Sequence, residues 1–82
     1  MNNHDEKYRQ LGLNISYYRK LRGFSQEKLA EMIPMSRGHL SCIEAPNMTS
    51  SFSIALLFDI ADALDIEVKD LFDFKLINKN TE

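Results

Sequence analysis

The chain has 82 residues, 44% of them apolar, with no Trp and one Cys, which allows one small core and excludes a second domain or a separate catalytic cleft. Its apolar runs are only a few residues long and its first ten residues are polar, so neither a membrane span nor a secretion signal is expected and the chain reads as soluble and cytoplasmic. The net charge of −2 is unevenly placed: residues 7–44 carry +4 and residues 45–82 carry −4.

In chain order, residues 1–6 are polar and are expected to form a disordered tail. From residue 7 to 22, Tyr8, Leu11, Ile15, Tyr18 and then Leu21 or the stem of Arg22 recur at intervals of three and four, one buried face of a first helix. Gly12 weakens that helix by about 1 kcal/mol relative to Ala, and Gly23, free to turn left-handed, ends it. Ser25 then precedes a second run that buries Leu29, Ala30 and Ile33 and is stopped by Pro34. Ser36 opens a third run, which Pro46 ends after residue 45. A serine oxygen accepts a bond from an orphan N–H at a helix start. Phe24 with Leu29, and Met35 with Leu40, have the spacing of hydrophobic staples. Two capped helices of about two turns each around a tight turn make a helix-turn-helix unit, a motif found also in proteins that bind no DNA.

Residues 47–51 read as a loop, and Ser53 caps a fourth helix. There Ile54, Leu57, Phe58, Ile60, Ala61 and Leu64 form a broad apolar stripe, with Asp59, Asp62 and Asp65 on the other side. A last short helix is predicted over residues 68–72. Beyond it, Phe74, Leu76 and Ile77 alternate with Asp73, Lys75 and Asn78, which suggests an extended tail over residues 76–82. Apolar surface is seldom left bare on so small a domain, and Phe72, Phe74, Leu76 and Ile77 are expected to form a dimer contact. The prediction is an all-α, five-helix domain over residues 7–75.

The third helix is the candidate site. At about 100° per residue, Leu40 and Ile43 define its buried side, while Gly38, Ser41 and Cys42, flanked by Arg37 and His39, lie opposite. Small side chains let a helix backbone come close to a groove. Arg37 can give two hydrogen bonds to a guanine O6/N7 edge, worth about 1–3 kcal/mol of discrimination. Arg37, Gly38, Ser41 and Cys42 are therefore the candidate base-reading residues, the plainer account being a solvated face.

Other chemistries fit less well. His39 and Cys42 supply two metal ligands where zinc needs three or four, so no metal is expected. As nucleophile and base they diverge on a convex helix with no oxyanion-stabilising loop, so no catalytic residue is assigned. Cys42, the only cysteine, excludes an intrachain disulfide, and it suits a reducing compartment. The sequons Asn14-Ile15-Ser16 and Asn47-Met48-Thr49 are taken as chance.

Residues near the start of the second helix would position a duplex through its phosphates: Ser25, Gln26 and Lys28, with Arg22 close in sequence and Asn47, Thr49, Ser50 and Ser51 in the later loop. The mean negative charge does not oppose this, because charges more than roughly 8 Å apart are screened at physiological salt.

These residues together resemble the phage-repressor/Cro-type helix-turn-helix family of bacterial transcription regulators, also called the xenobiotic-response-element family. The likeness lies in Ile15 and Arg19, then GFSQEKLAEMI from Gly23, MSRGHLSCIE from Met35 and SIALLFDIADALDIEVKDLF from Ser53, and it spans residues 11–72. It implies a lambda-repressor-like DNA-binding domain with the helix-turn-helix in helices 2 and 3. The function implied is a sequence-specific transcriptional regulator, a homodimer that places helix 3 in the major groove of a palindromic double-stranded DNA operator. By the same resemblance, Gln26 contacts phosphate, Arg37, Gly38 and Cys42 face base edges, His39 lies near the DNA backbone, and Arg19 with Glu44 forms a structural ion pair between helices 1 and 3.

The chain departs from the family pattern in three places. Pro34 stands where the family has Gly, so the turn must differ locally; Tyr18 replaces an aliphatic residue; and the loop before Ser53 is longer and lacks basic residues. No cofactor, small-molecule ligand or enzymatic activity is expected. The alternative from another class is a protein-interaction module, such as an antitoxin or anti-regulator, built on the same fold.

Overall fold

Serine side chains start three of the five helices. In the computed structural model, which describes residues 4–45 and 53–74, the Oγ atoms of Ser25, Ser36 and Ser53 accept the N–H groups of Lys28, His39 and Leu56 at 3.0, 3.1 and 3.1 Å. The elements are α1 (Asp5–Leu21), α2 (Gln26–Met32), α3 (Arg37–Glu44), α4 (Ile54–Leu64) and α5 (Val68–Leu71), with no strand among the described residues. The architecture is thus the all-helical one expected, with α2 and α3 as the helix-turn-helix pair.

Helix α1 begins at Asp5, so Asp5 and Glu6, expected in a tail over residues 1–6, are helical; residues 1–3 lie outside the described residues. Asp5 and Glu6 occupy the first turn, where negative charge suits the N–H-rich helix end. Glu6 also accepts bonds from Arg9 and Gln10, and the Arg9 guanidinium holds its carboxyl below the usual carboxylate range.

Helix α1 ends at a left-handed Gly23 (φ 77°), whose N–H reaches Lys20 O at 2.9 Å while that of Phe24 reaches Arg19 O at 3.0 Å. Helix α4 ends in the same way at Asp65 (φ 58°), a short polar residue that tolerates this region. Arg22 crosses from the end of α1 to close α4, with Nε donating to Leu64 O at 2.7 Å and Nη2 to Asp65 O at 2.9 Å. Leu21, the other candidate for the buried face, is 64% exposed. The stripe of α4 is also narrower than its sequence suggests: Leu57, Ile60, Ala61 and Leu64 are buried, whereas Ile54 and Phe58 are exposed. Among the described elements, α4 meets chiefly α1 and α5.

The turn between α2 and α3 accommodates Pro34 without any left-handed residue. Ile33, restricted by the proline that follows it, is extended (φ −127°, ψ 153°) and buried. Met35 N–H closes onto Ile33 O at 2.7 Å, a three-residue turn centred on Pro34. Tyr18, the other departure, is half-buried and stacks edge-on with Tyr17 at 5.1 Å. Its burial, with Asp70 and Asp73 adding negative charge nearby, raises the phenol pKa.

The core centres on Ile15, Leu29, Leu40, Ile60, Leu64 and Leu71, all fully buried. Two sets of polar contacts hold it in register. Asn14 Nδ2 donates to Leu71 O at 2.8 Å and to Asp73 O at 3.3 Å, which fastens the end of α5 to α1; a side chain so buried has no room for a glycan. Arg19 and Glu44 form the expected pair, both buried, with Nε to Oε2 at 2.8 Å and Nη2 to Oε1 at 2.9 Å. Arg19 Nη1 also donates to Phe24 O at 2.6 Å.

Gly12 is where α1 meets the C-terminal end of α3. A Cβ there would overlap the Ile43 carbonyl oxygen, and the nearest alternatives are backbone atoms as well, so nothing flexible can yield. We therefore expect Gly12→Ala to destabilise the domain by about 1–3 kcal/mol in urea unfolding, against the gain that helix propensity alone would give. Arg19→Met leaves Glu44 buried and unpaired and should cost about 3–5 kcal/mol, whereas Arg19→Met combined with Glu44→Met should cost clearly less than the two single changes summed.

Candidate nucleic-acid interface

Helix α3 is only eight residues long, so its orientation is set by what it packs on. Leu40, Ile43 and Glu44 are buried, Ser41 is half-buried, and Arg37, Gly38, His39 and Cys42 are exposed. Four of the residues singled out from the sequence thus share one outward surface, with Ser41 at its margin. Space beside Gly38 is open, so no packing within the domain requires a glycine there. That face carries hydrogen-bonding groups and little bulk, the composition a groove-facing helix needs.

The start of α2 is tied to the same helix. Gln26 Nε2 donates to Glu44 Oε1 at 3.0 Å, the oxygen that also takes Arg19 Nη2. Gln26 is half-buried, and its amide carries a second N–H beyond the one given to Glu44. Ser25 and Lys28 are exposed beside it. Arg22, expected near the phosphates, instead gives its guanidinium to the carbonyls that end α4. Asn47, Thr49, Ser50 and Ser51 lie outside the described residues.

Phe72 and Phe74 line a groove together with His4, Lys7, Tyr8 and Leu11. Leu76 and Ile77, the remaining residues of the expected dimer contact, lie outside the described residues. Among the described residues no group of three or more His, Cys, Asp or Glu is placed to hold a metal ion, and no helix is long and apolar enough to cross a membrane.

Three contacts in this geometry escaped the sequence reading. Gly12 registered only as a weak spot, Asn14 only within a sequon, and Gln26, singled out for phosphate, was not linked to Glu44. Each depends on a neighbour remote in the chain, and no local pattern marks it.

Residues 15–71 match the family model described as Helix-turn-helix, HTH_3. The HTH-type transcriptional regulator SinR of Bacillus subtilis (strain 168) is 37% identical over 65 residues, 79% of this chain and 58% of that protein, so the chain spans little more than half the length of this relative. A crystal structure of SinR, the master regulator for biofilm formation, in complex with DNA superimposes with a TM-score of 0.70 at 36% identity, covering 77% of this chain and 98% of that one. A chain of a SinR protein/SinI protein complex gives 0.73 at 35% identity, covering 83% of this chain and 65% of that one. The chain belongs to the HTH_3 helix-turn-helix family, of the xenobiotic-response-element type.

Proposed function

We propose that the chain is a sequence-specific DNA-binding transcriptional regulator, acting in the cytoplasm as a homodimer on a palindromic operator and reading the major groove with α3. One observation carries this reading: a short helix buried through Leu40, Ile43 and Glu44 turns Arg37, Gly38, His39 and Cys42 outward, in a fold shared with a SinR structure determined on DNA. Arg37, Gly38, Ser41 and Cys42 read base edges. Ser25, Gln26, Lys28, His39 and Asn47 meet the phosphates and fix the register. Phe72, Phe74, Leu76 and Ile77 join two subunits. The domain needs no cofactor or metal for this and performs no catalysis.

SinR has also been solved in a SinR protein/SinI protein complex, so a relative of this chain has a protein partner. The second reading is therefore a module that holds another protein through Phe72, Phe74, Leu76 and Ile77. Sedimentation separates the two: a monomer that buries those residues only with a second protein favours the second reading.

Selection of bound sequences from random duplexes at low salt is the direct test, and failure to enrich any sequence sinks the first reading. Arg37→Ala should relax preference at one base pair of each half-site by about 1–3 kcal/mol, while Gln26→Ala should weaken binding about equally across sequences. Gly38→Ala should leave the fold intact or stabilise it by up to about 1 kcal/mol, yet weaken operator binding, since its methyl enters the surface that approaches the bases; calorimetry and a binding titration on the same sample read both effects.

A further inference from the structure

The outer side of α4 combines exposed apolar residues with carboxylates that meet no cation among the described residues. Asp59 and Asp62 are exposed, and neither forms an ion pair with a described residue. Between them and the end of α2 runs a groove lined by Met32, Ile33, Pro34, Asp59, Asp62 and Ala63. A second groove shares Asp62 and continues between α4 and α5 along Phe58, Ala61, Ile66, Glu67 and Val68. Met32 and Phe58 are 42% and 49% exposed. Among the described residues no Lys, Arg or His lines either groove.

We propose that this paired groove is a docking surface for a basic amphipathic segment of a second protein. Charge complementarity selects the occupant. Apolar side chains of the partner would cover Met32 and Phe58, and its Lys or Arg residues would meet Asp59, Asp62 and Glu67. The same carboxylates repel nucleic-acid phosphates, so the surface is not an extension of the α3 face. None of Arg37, Gly38 and Cys42 lines either groove, so a partner seated here leaves the reading helix uncovered. The proposal stands independently of which DNA sequence, if any, the domain selects.

The test is an NMR titration of the full chain with a short synthetic helix of leucine and lysine arranged on opposite faces, set against a scrambled peptide of the same composition. Shift changes should concentrate at residues 32–34, 58–63 and 66–68, and the scrambled peptide should bind about tenfold more weakly or worse. Asp59→Asn with Asp62→Asn, two exposed changes that leave the core untouched, should weaken the amphipathic peptide by about tenfold. Met32→Ala should weaken it as well, through the apolar floor. Equal binding of the two peptides, binding unaltered by the Asp59/Asp62 change, or shift changes confined to other surfaces would overturn the proposal. So would self-association of the free chain in sedimentation that the Asp59/Asp62 change abolishes, because the groove would then belong to a second copy.

Discussion

A buried carboxylate at the end of α3 is the constraint on which the placement of that helix depends. Glu44 sits where the helix dipole disfavours negative charge and where water is excluded, so it requires compensation. Arg19 supplies it with a two-pronged contact from α1, and Gln26 adds a bond from the start of α2. Because Arg19 also holds Phe24 O, one network joins α1, the link to α2, the first residue of α2 and the last of α3. Such a pair contributes little net stability compared with apolar packing, but it permits few alternative arrangements. For a helix of two turns, that restriction is worth more than strength.

The same end of α3 is fixed a second time by steric contact. Gly12 brings the α1 backbone against the Ile43 carbonyl, at a distance no side chain would allow. Both restraints grip the C-terminal half of α3, through Ile43 and Glu44, while Arg37, Gly38 and His39 project from the other half. Held at one end and exposed at the other, the helix presents its first turn to solvent with its direction already set. The Ser36 cap orders that first turn without help from the rest of the domain.

Much of this was legible in the sequence because it rests on local chemistry. Ser25, Ser36 and Ser53 act on residues three positions ahead, so their caps could be read directly, and Gly23 announces its left-handed turn. Pro34 pointed to an unusual turn, and the extended Ile33 explains how the chain makes it. Legibility fails where the determining neighbour is far along the chain. The apolar character of Leu21, Ile54 and Phe58 does not reveal that no described element buries them, and Gly12 looks like a defect until α3 is laid across it. Asp65 takes a left-handed conformation without a glycine to signal it. The face of α3 was readable from its periodicity, whereas the diversion of Arg22 to α4 was not, because it requires knowing where α4 ends.

The bonds from Asn14 to Leu71 and Asp73 span nearly the whole domain, and they carry a consequence for synthesis. On the ribosome, α1 emerges first, yet its Asn14 amide finds these carbonyls only after residue 73 has been made and has cleared the exit tunnel. Until then the buried side of α1 lacks α5. Helix α3 leans on α1 through Gly12 and Arg19, so a nascent chain arrested inside α4 would carry every residue of α3 without the complete support behind it. Completion of the shortest helix thus sets the moment at which the domain closes.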